Sequence, residues 1–163
     1  MEITNFQTGD LVFFRDSFSW NPMSWLATLI RFFAGVKYNH VGIVIGTDIF
    51  EAIGRGIVRR PLLQRISGRK IKVNRRKSHL PDEIIKQRAF YNLGRKYDFA
   101  GLLWFQLWFQ LFKHWIGFKS PEKAARKFYC YEFVAYVHDE KEWWKVNPKD
   151  FINSTEYIEV FSN

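Results

Sequence analysis

The chain has a single cysteine, Cys130, so neither an internal disulfide framework nor a thiolate-rich zinc knuckle or finger is available to it. No glycine-rich phosphate loop appears, so no nucleotide or redox cofactor is expected, and no His, Cys or carboxylate spacing matches a recognised metal motif. The opening Met-Glu-Ile-Thr-Asn-Phe-Gln carries an acid in place of a basic leader region, and no apolar leader core follows. A cytoplasmic location at synthesis is therefore expected, with peripheral membrane or cell-envelope association as the alternative. No internal repeat, low-complexity stretch or linker is visible, which makes residues 1–163 one domain.

Core-forming residues are plentiful. Apolar residues are 47% of the chain and aromatic residues 19%, enough for a packed interior without staples. Net charge is +9, and its placement is uneven. Ten Lys or Arg and no Asp or Glu lie between Arg55 and Lys77, which leaves fifteen bases against sixteen acids elsewhere. Such a run attracts anionic partners through salt-screened Coulomb forces, or else simply forms a solvated basic face.

Strand and helix patterns alternate along the chain. Asp10 to Phe14 (Asp-Leu-Val-Phe-Phe) reads as a short buried strand after a Thr-Gly turn signal. Met23 to Phe33 has apolar residues at helical spacing, with Gly35 at its end. Val41 to Ile45 and Ile49 to Ile53 flank Gly46-Thr47-Asp48 as a hairpin would. Ile57-Val58 and Ile71 to Val73 extend the same antiparallel sheet; in the latter, alternation with Lys70, Lys72 and Asn74 predicts one buried face and one basic face in water.

Pro81, Asp82 and Glu83 open a helix for which Gly94 supplies the stop. Phe99 to Ile116 is nearly all apolar, but Gln106, Gln110, Lys113 and His114 fall at i, i+4, i+7 and i+8. That wet stripe argues against a simple membrane span, which needs about twenty mostly apolar residues, and for a buried or interfacial amphipathic helix. Ser120-Pro121-Glu122 caps a short helix, Phe128 to His138 form another, and Tyr157 to Phe161 a final strand.

A thiol becomes a nucleophile when its thiolate is stabilised, as a helix N-terminus and a nearby histidine both do. Cys130 stands near the start of an apolar-periodic helix. Among the four histidines, His79 lies in a polar loop, His114 on the wet stripe, and His138 about two helical turns beyond the cysteine. His40 differs, because it immediately precedes a buried strand and so faces the lip of the sheet. Glu51, on the next strand of the hairpin, is within side-chain reach of it and suits the part of a carboxylate that orients an imidazole. By spacing alone a metal site from Cys130, His40 and Glu51 matches no recognised pattern.

Gly9-Asp10-Leu11-Val12-Phe13-Phe14, then His40-Val41-Gly42-Ile43-Val44-Ile45-Gly46 and Phe50-Glu51-Ala52, resemble segments of NlpC/P60 peptidases. In ordinary members these follow the cysteine motif, whereas here Gly94-Arg95-Lys96-Tyr97-Asp98 and Tyr129-Cys130-Tyr131-Glu132-Phe133-Val134 come later. The order is similar to the circularly permuted branch, the YiiX/YebB-like and lecithin:retinol-acyltransferase-like proteins.

The resemblance implies an α+β, papain-like fold with an antiparallel sheet packed against helices. It also implies a catalytic triad of Cys130 as nucleophile, His40 as base and Glu51 as orienting partner, acting on an amide or ester through an acyl-enzyme. Tyr97 matches the tyrosine upstream of the family cysteine and, with Tyr38 and Tyr129, is expected to line the substrate site. Two departures bear on the substrate: the family's Cys-Ser is Cys130-Tyr131 here, and a long apolar insertion separates Tyr97 from Cys130.

Three functions are therefore in competition. The first is a cysteine peptidase or amidase acting on peptidoglycan-type peptides or another small acyl substrate. The second is a lipid-directed acyltransferase or hydrolase at an anionic membrane surface, with Arg55 to Lys77 on head groups and Phe99 to Ile116 in the interface. The third is a non-catalytic binding module; nucleic acid is disfavoured as its ligand, because no recognition motif appears and the aromatics lie far from the bases.

Overall fold

The computed structural model describes residues 6–15, 35–102, 125–146 and 148–163. The expected helix at Met23 to Phe33, the cap at Ser120 and most of the stretch Phe99 to Ile116 lie outside them; of the last, only one helical turn, Phe99–Gly101, is described. Among the described residues no helix is long and apolar enough to cross a membrane.

The architecture is α+β. Six antiparallel strands form one sheet in the order β4-β3-β2-β1-β5-β8: β1 Leu11–Phe14, β2 His40–Ile45, β3 Asp48–Ile53, β4 Gly56–Pro61, β5 Ile71–Arg76 and β8 Tyr157–Ser162. Helices α1 (Leu62–Ile66), α2 (Asp82–Tyr91), α3 (Cys130–Val137) and α4 (Lys149–Ile152) pack around it. A two-residue parallel pair, β6 (Lys96–Tyr97) with β7 (Lys127–Phe128), brings Tyr97 beside the entry to α3.

The four residues of β1 carry no polar alternation, and all are fully buried, as in a central strand covered on both faces. Period-two alternation divides the core accordingly. Val12, Phe14, Val44, Ile49 and Val73 pack with Leu62 and Ile66 of α1. Leu11, Phe13, Val41, Ile43 and Phe50 pack with Phe133, Val134 and Val137 of α3.

Two expectations need correction. The polar face of β5 does not meet water: Asn74 is buried and donates to the Phe151 carbonyl at 3.0 Å, and Lys72 donates to that of Ile152 at 3.3 Å, so α4 covers this face. Helix α2 ends at Tyr91 with Asn92 as its cap, before Gly94, because the Asn92 amide donates to the Arg88 carbonyl and closes the last turn itself.

The Gly9-Asp10 step is now physically intelligible. Gly9 has φ +93°, open to glycine and strained for other residues. The buried Asp10 carboxylate takes Arg75 of β5 on both oxygens at 2.8 Å and also accepts the Gln7 N–H, which fixes the start of β1 against its neighbour.

Candidate active site

Cys130 is the first residue of α3, and Tyr129, with extended backbone, precedes it. The buried Glu132 carboxylate accepts the Tyr129 N–H at 3.2 Å, one half of a capping box, and so pins the first turn. The Cys130 N–H is among the first of the helix, where no intrahelical carbonyl is available. Seven of the eight residues of α3, all but Tyr136, are buried, so this turn is packed against the sheet.

His40 is the first residue of β2 and pairs in register with Phe14. It stands within hydrogen-bond reach of Cys130, and its Nε2 lies 2.9 Å from Glu51 Oε1. Glu51 faces Gly42 across the β2–β3 ladder, one step along from His40 on the same side of the sheet. The reason for glycine there is space: a Cβ on Gly42 would stand 2.9 Å from Glu51 Cγ and 2.8 Å from Ile49 Cδ1. Gly42 thus clears the diagonal along which Glu51 reaches His40.

Arg65, which motif reading did not single out, completes the arrangement. Its Nε is 2.9 and 3.0 Å from the two Glu51 oxygens, and its guanidinium lies 3.8 Å above the Phe14 ring. Nothing in the sequence set it apart from the nine other bases of its run; only its place on the short helix α1, facing β3, does so.

Electrostatics follow from these contacts. Burial pulls the His40 imidazole down, but hydrogen bonds to Cys130 and Glu51, and the charges on both, outweigh it and push the ring up to about 10. Burial likewise raises Glu51, and the opposing pull of His40 and Arg65 takes it down to about 2. Tyr97 is raised well above its ordinary range, first by burial and then by the charges of Cys130 and Glu132, so it remains a neutral donor at the sulfur to which it hydrogen-bonds. The Cys130 residue is 4% exposed and the His40 side chain 14%, a narrow opening to solvent.

Compared with known proteins, the chain matches no family model and no curated sequence.

Of the expected site residues, Cys130, His40, Glu51 and Tyr97 come together. Tyr38 packs near Phe13, with ring centroids 6.2 Å apart. Tyr129 is a correction: it is fully buried and its hydroxyl donates to the Val146 carbonyl at 2.6 Å, so it anchors the helix entry and presents no surface to a substrate. Among the described residues, no group of three or more His, Cys, Asp or Glu side chains is placed to hold a metal ion.

The basic run does not gather into one patch. Strands β4 and β5 are separated by three others, and six of the ten bases face carboxylates: Arg59 with Asp48, Arg60 and Arg65 with Glu51, Lys72 with Glu159, Arg75 with Asp10, and Arg76 with Glu140.

Proposed function

We propose that this chain is a cysteine hydrolase of the permuted NlpC/P60, papain-like kind, cleaving an amide or ester through an acyl-enzyme. The observation that carries the reading is the meeting of Cys130, at the first position of α3, with His40, whose other partner is the buried Glu51. In this reading His40 takes the Cys130 proton, and the thiolate attacks the substrate carbonyl. The oxyanion that forms is met by the Cys130 N–H. The imidazolium then protonates the departing amine or alcohol, leaving a thioester. Water, deprotonated by His40, hydrolyses the thioester and restores the thiol. Glu51 keeps the imidazole oriented and stabilises its charged form.

The peptidoglycan-type peptide is the substrate class favoured by the motif resemblance. A lipid-directed role on an anionic surface loses support, because most of the basic run is engaged by carboxylates of the chain itself.

The test is alkylation by iodoacetamide, located by mass spectrometry, in the parent, His40→Ala and Cys130→Ser proteins. At pH 6 the parent should label at residue 130 at least about tenfold faster than His40→Ala, the rate equivalent of roughly 1.4 kcal/mol. Equal rates in those two proteins, with both folded, would end the hydrolase reading.

A further inference from the structure

We infer that Arg65 is a positioning residue of this site: its guanidinium, held over the Phe14 ring, clamps the Glu51 carboxylate in the orientation that meets His40. The inference rests on the proposed Cys130–His40 pair and adds a fourth member behind it.

Three observations converge. Arg65 is 8% exposed and Glu51 is fully buried, so their interaction is poorly screened by solvent. A single Nε–H reaches both carboxylate oxygens, at 2.9 and 3.0 Å, while His40 approaches only Oε1, at 2.9 Å. The third is the stack: Phe14 lies 3.8 Å beneath the guanidinium carbon, and its centroid is 5.8 Å from that of His40. Phe14 is also the register partner of His40, so one ring is the common floor for both groups that hold Glu51. Arg60, the next cation, is 3.9 Å from Oε2 and one-third exposed, which places it at the rim.

The chemistry explains why a permanent cation is needed there. During turnover His40 alternates between imidazolium and neutral imidazole. Each time the ring is neutral, a buried Glu51 left with only the more distant Arg60 would be a poorly compensated charge, inviting protonation or a turn away from the ring. A guanidinium is a permanent cation, so with it in contact Glu51 stays compensated and in place through both halves of the cycle. A lysine would supply the charge but not a planar group able to lie on Phe14 while reaching two oxygens.

Among the described residues, the titratable groups acting on His40 are Cys130 and Glu51, with Arg65 and Arg60 behind Glu51 and Tyr97 beside Cys130, and they give the test a sign. If Arg65 acted only through its charge, removing it would favour the imidazolium and raise the His40 midpoint. If Arg65 holds Glu51 in place, removing it loosens the Glu51–His40 hydrogen bond and lowers that midpoint. The experiment is an NMR titration of the His40 ring in the parent and in Arg65→Met and Arg65→Lys, alongside the pH profile of Cys130 alkylation and thermal melts.

The expected result is a fall of at least about one pH unit in Arg65→Met, and a smaller fall in Arg65→Lys. An unchanged or raised midpoint in folded Arg65→Met overturns the inference. Should Arg65→Met fail to fold, Arg65→Lys decides alone, and a parental midpoint there overturns it. Failure of the hydrolase reading looks different, because the parent and His40→Ala would then label alike whatever stands at position 65.

Discussion

Replacing Gly42 by alanine tests whether space at that position carries the Glu51–His40 contact. The new methyl would stand 2.8 Å from Ile49 Cδ1 and 2.9 Å from both Ile49 Cγ1 and Glu51 Cγ. Carbon atoms rest about 3.5–4.0 Å apart, so a displacement of roughly 0.6 Å or more is required. Ile49 and Glu51 are fully buried, which leaves no slack to absorb it. Overpacking of this kind costs about 1–3 kcal/mol, which for a domain of this size lowers Tm by roughly 3–10 °C.

The same displacement lengthens the 2.9 Å hydrogen bond to His40 beyond useful range. Iodoacetamide labelling of Cys130 at pH 6 should then fall about tenfold, a fraction of the ~1.5–3 kcal/mol of a charge-assisted bond. A double-mutant cycle makes the argument strict. In a Glu51→Gln background the melting penalty should persist, but the labelling penalty should vanish, because the carboxylate has already gone. A Gly42→Ala protein that labels like the parent, or one equally impaired with and without Glu51, would refute the reasoning.

Two further outcomes follow from the buried polar groups. His138 is fully enclosed between the Gly9 carbonyl and the Tyr157 hydroxyl, and burial, with Arg76 nearby, depresses it from 6.5 to about 3. The unfolded chain therefore binds a proton that the folded one refuses between those values, and stability should fall as pH drops through that window. Urea melts should show about 3 kcal/mol lost by the parent relative to His138→Gln between pH 6.5 and pH 4; parallel curves would contradict the assignment. Tyr97→Phe keeps the ring packed on Phe99 at 4.8 Å but removes the hydroxyl at the sulfur. Labelling of Cys130 at pH 6 should slow about tenfold with the melting point unchanged, and a parental rate would remove Tyr97 from the site.

Most of the sheet was readable because its signals are local. The apolar run of β1, the Gly46-Thr47-Asp48 turn and the β-rich run Ile49 to Ile53 each specify a strand from within a few residues. The nearness of His40 to Glu51 was readable for the same reason, since a hairpin fixes cross-strand neighbours. Arg65 was not, because its partner lies fourteen residues away on another element and nothing local distinguishes it from the other bases of its run. The burial of Tyr129 was equally hidden, since it depends on the Val146 carbonyl, seventeen residues on. The polar side of β5 was misread because strand alternation says which residues share a face, not whether a later helix will cover it.

What positions the sulfur is a helix laid along one short strand. Helix α3, with its Cys130 end at His40, the register partner of Phe14, and its His138 end at Gly9, runs opposite to β1. Eight residues of helix measure about 12 Å, and the five steps from Gly9 to Phe14 about 16 Å, so one short strand spans both ends of the helix. At the far end, His138 Nε2 meets the Gly9 carbonyl at 2.9 Å, and the adjoining Asp10 is locked to Arg75. At the near end, Phe14 fixes His40 by register and Arg65 by stacking. The helix is therefore clamped at its carboxyl end so that its amino end holds a constant relation to the imidazole. The segment Gly9 to Phe14 contributes no atom to the proposed triad, yet it sets where the triad's side chains stand, which gives a physical reason for a glycine, a buried acid and four apolar residues in that order.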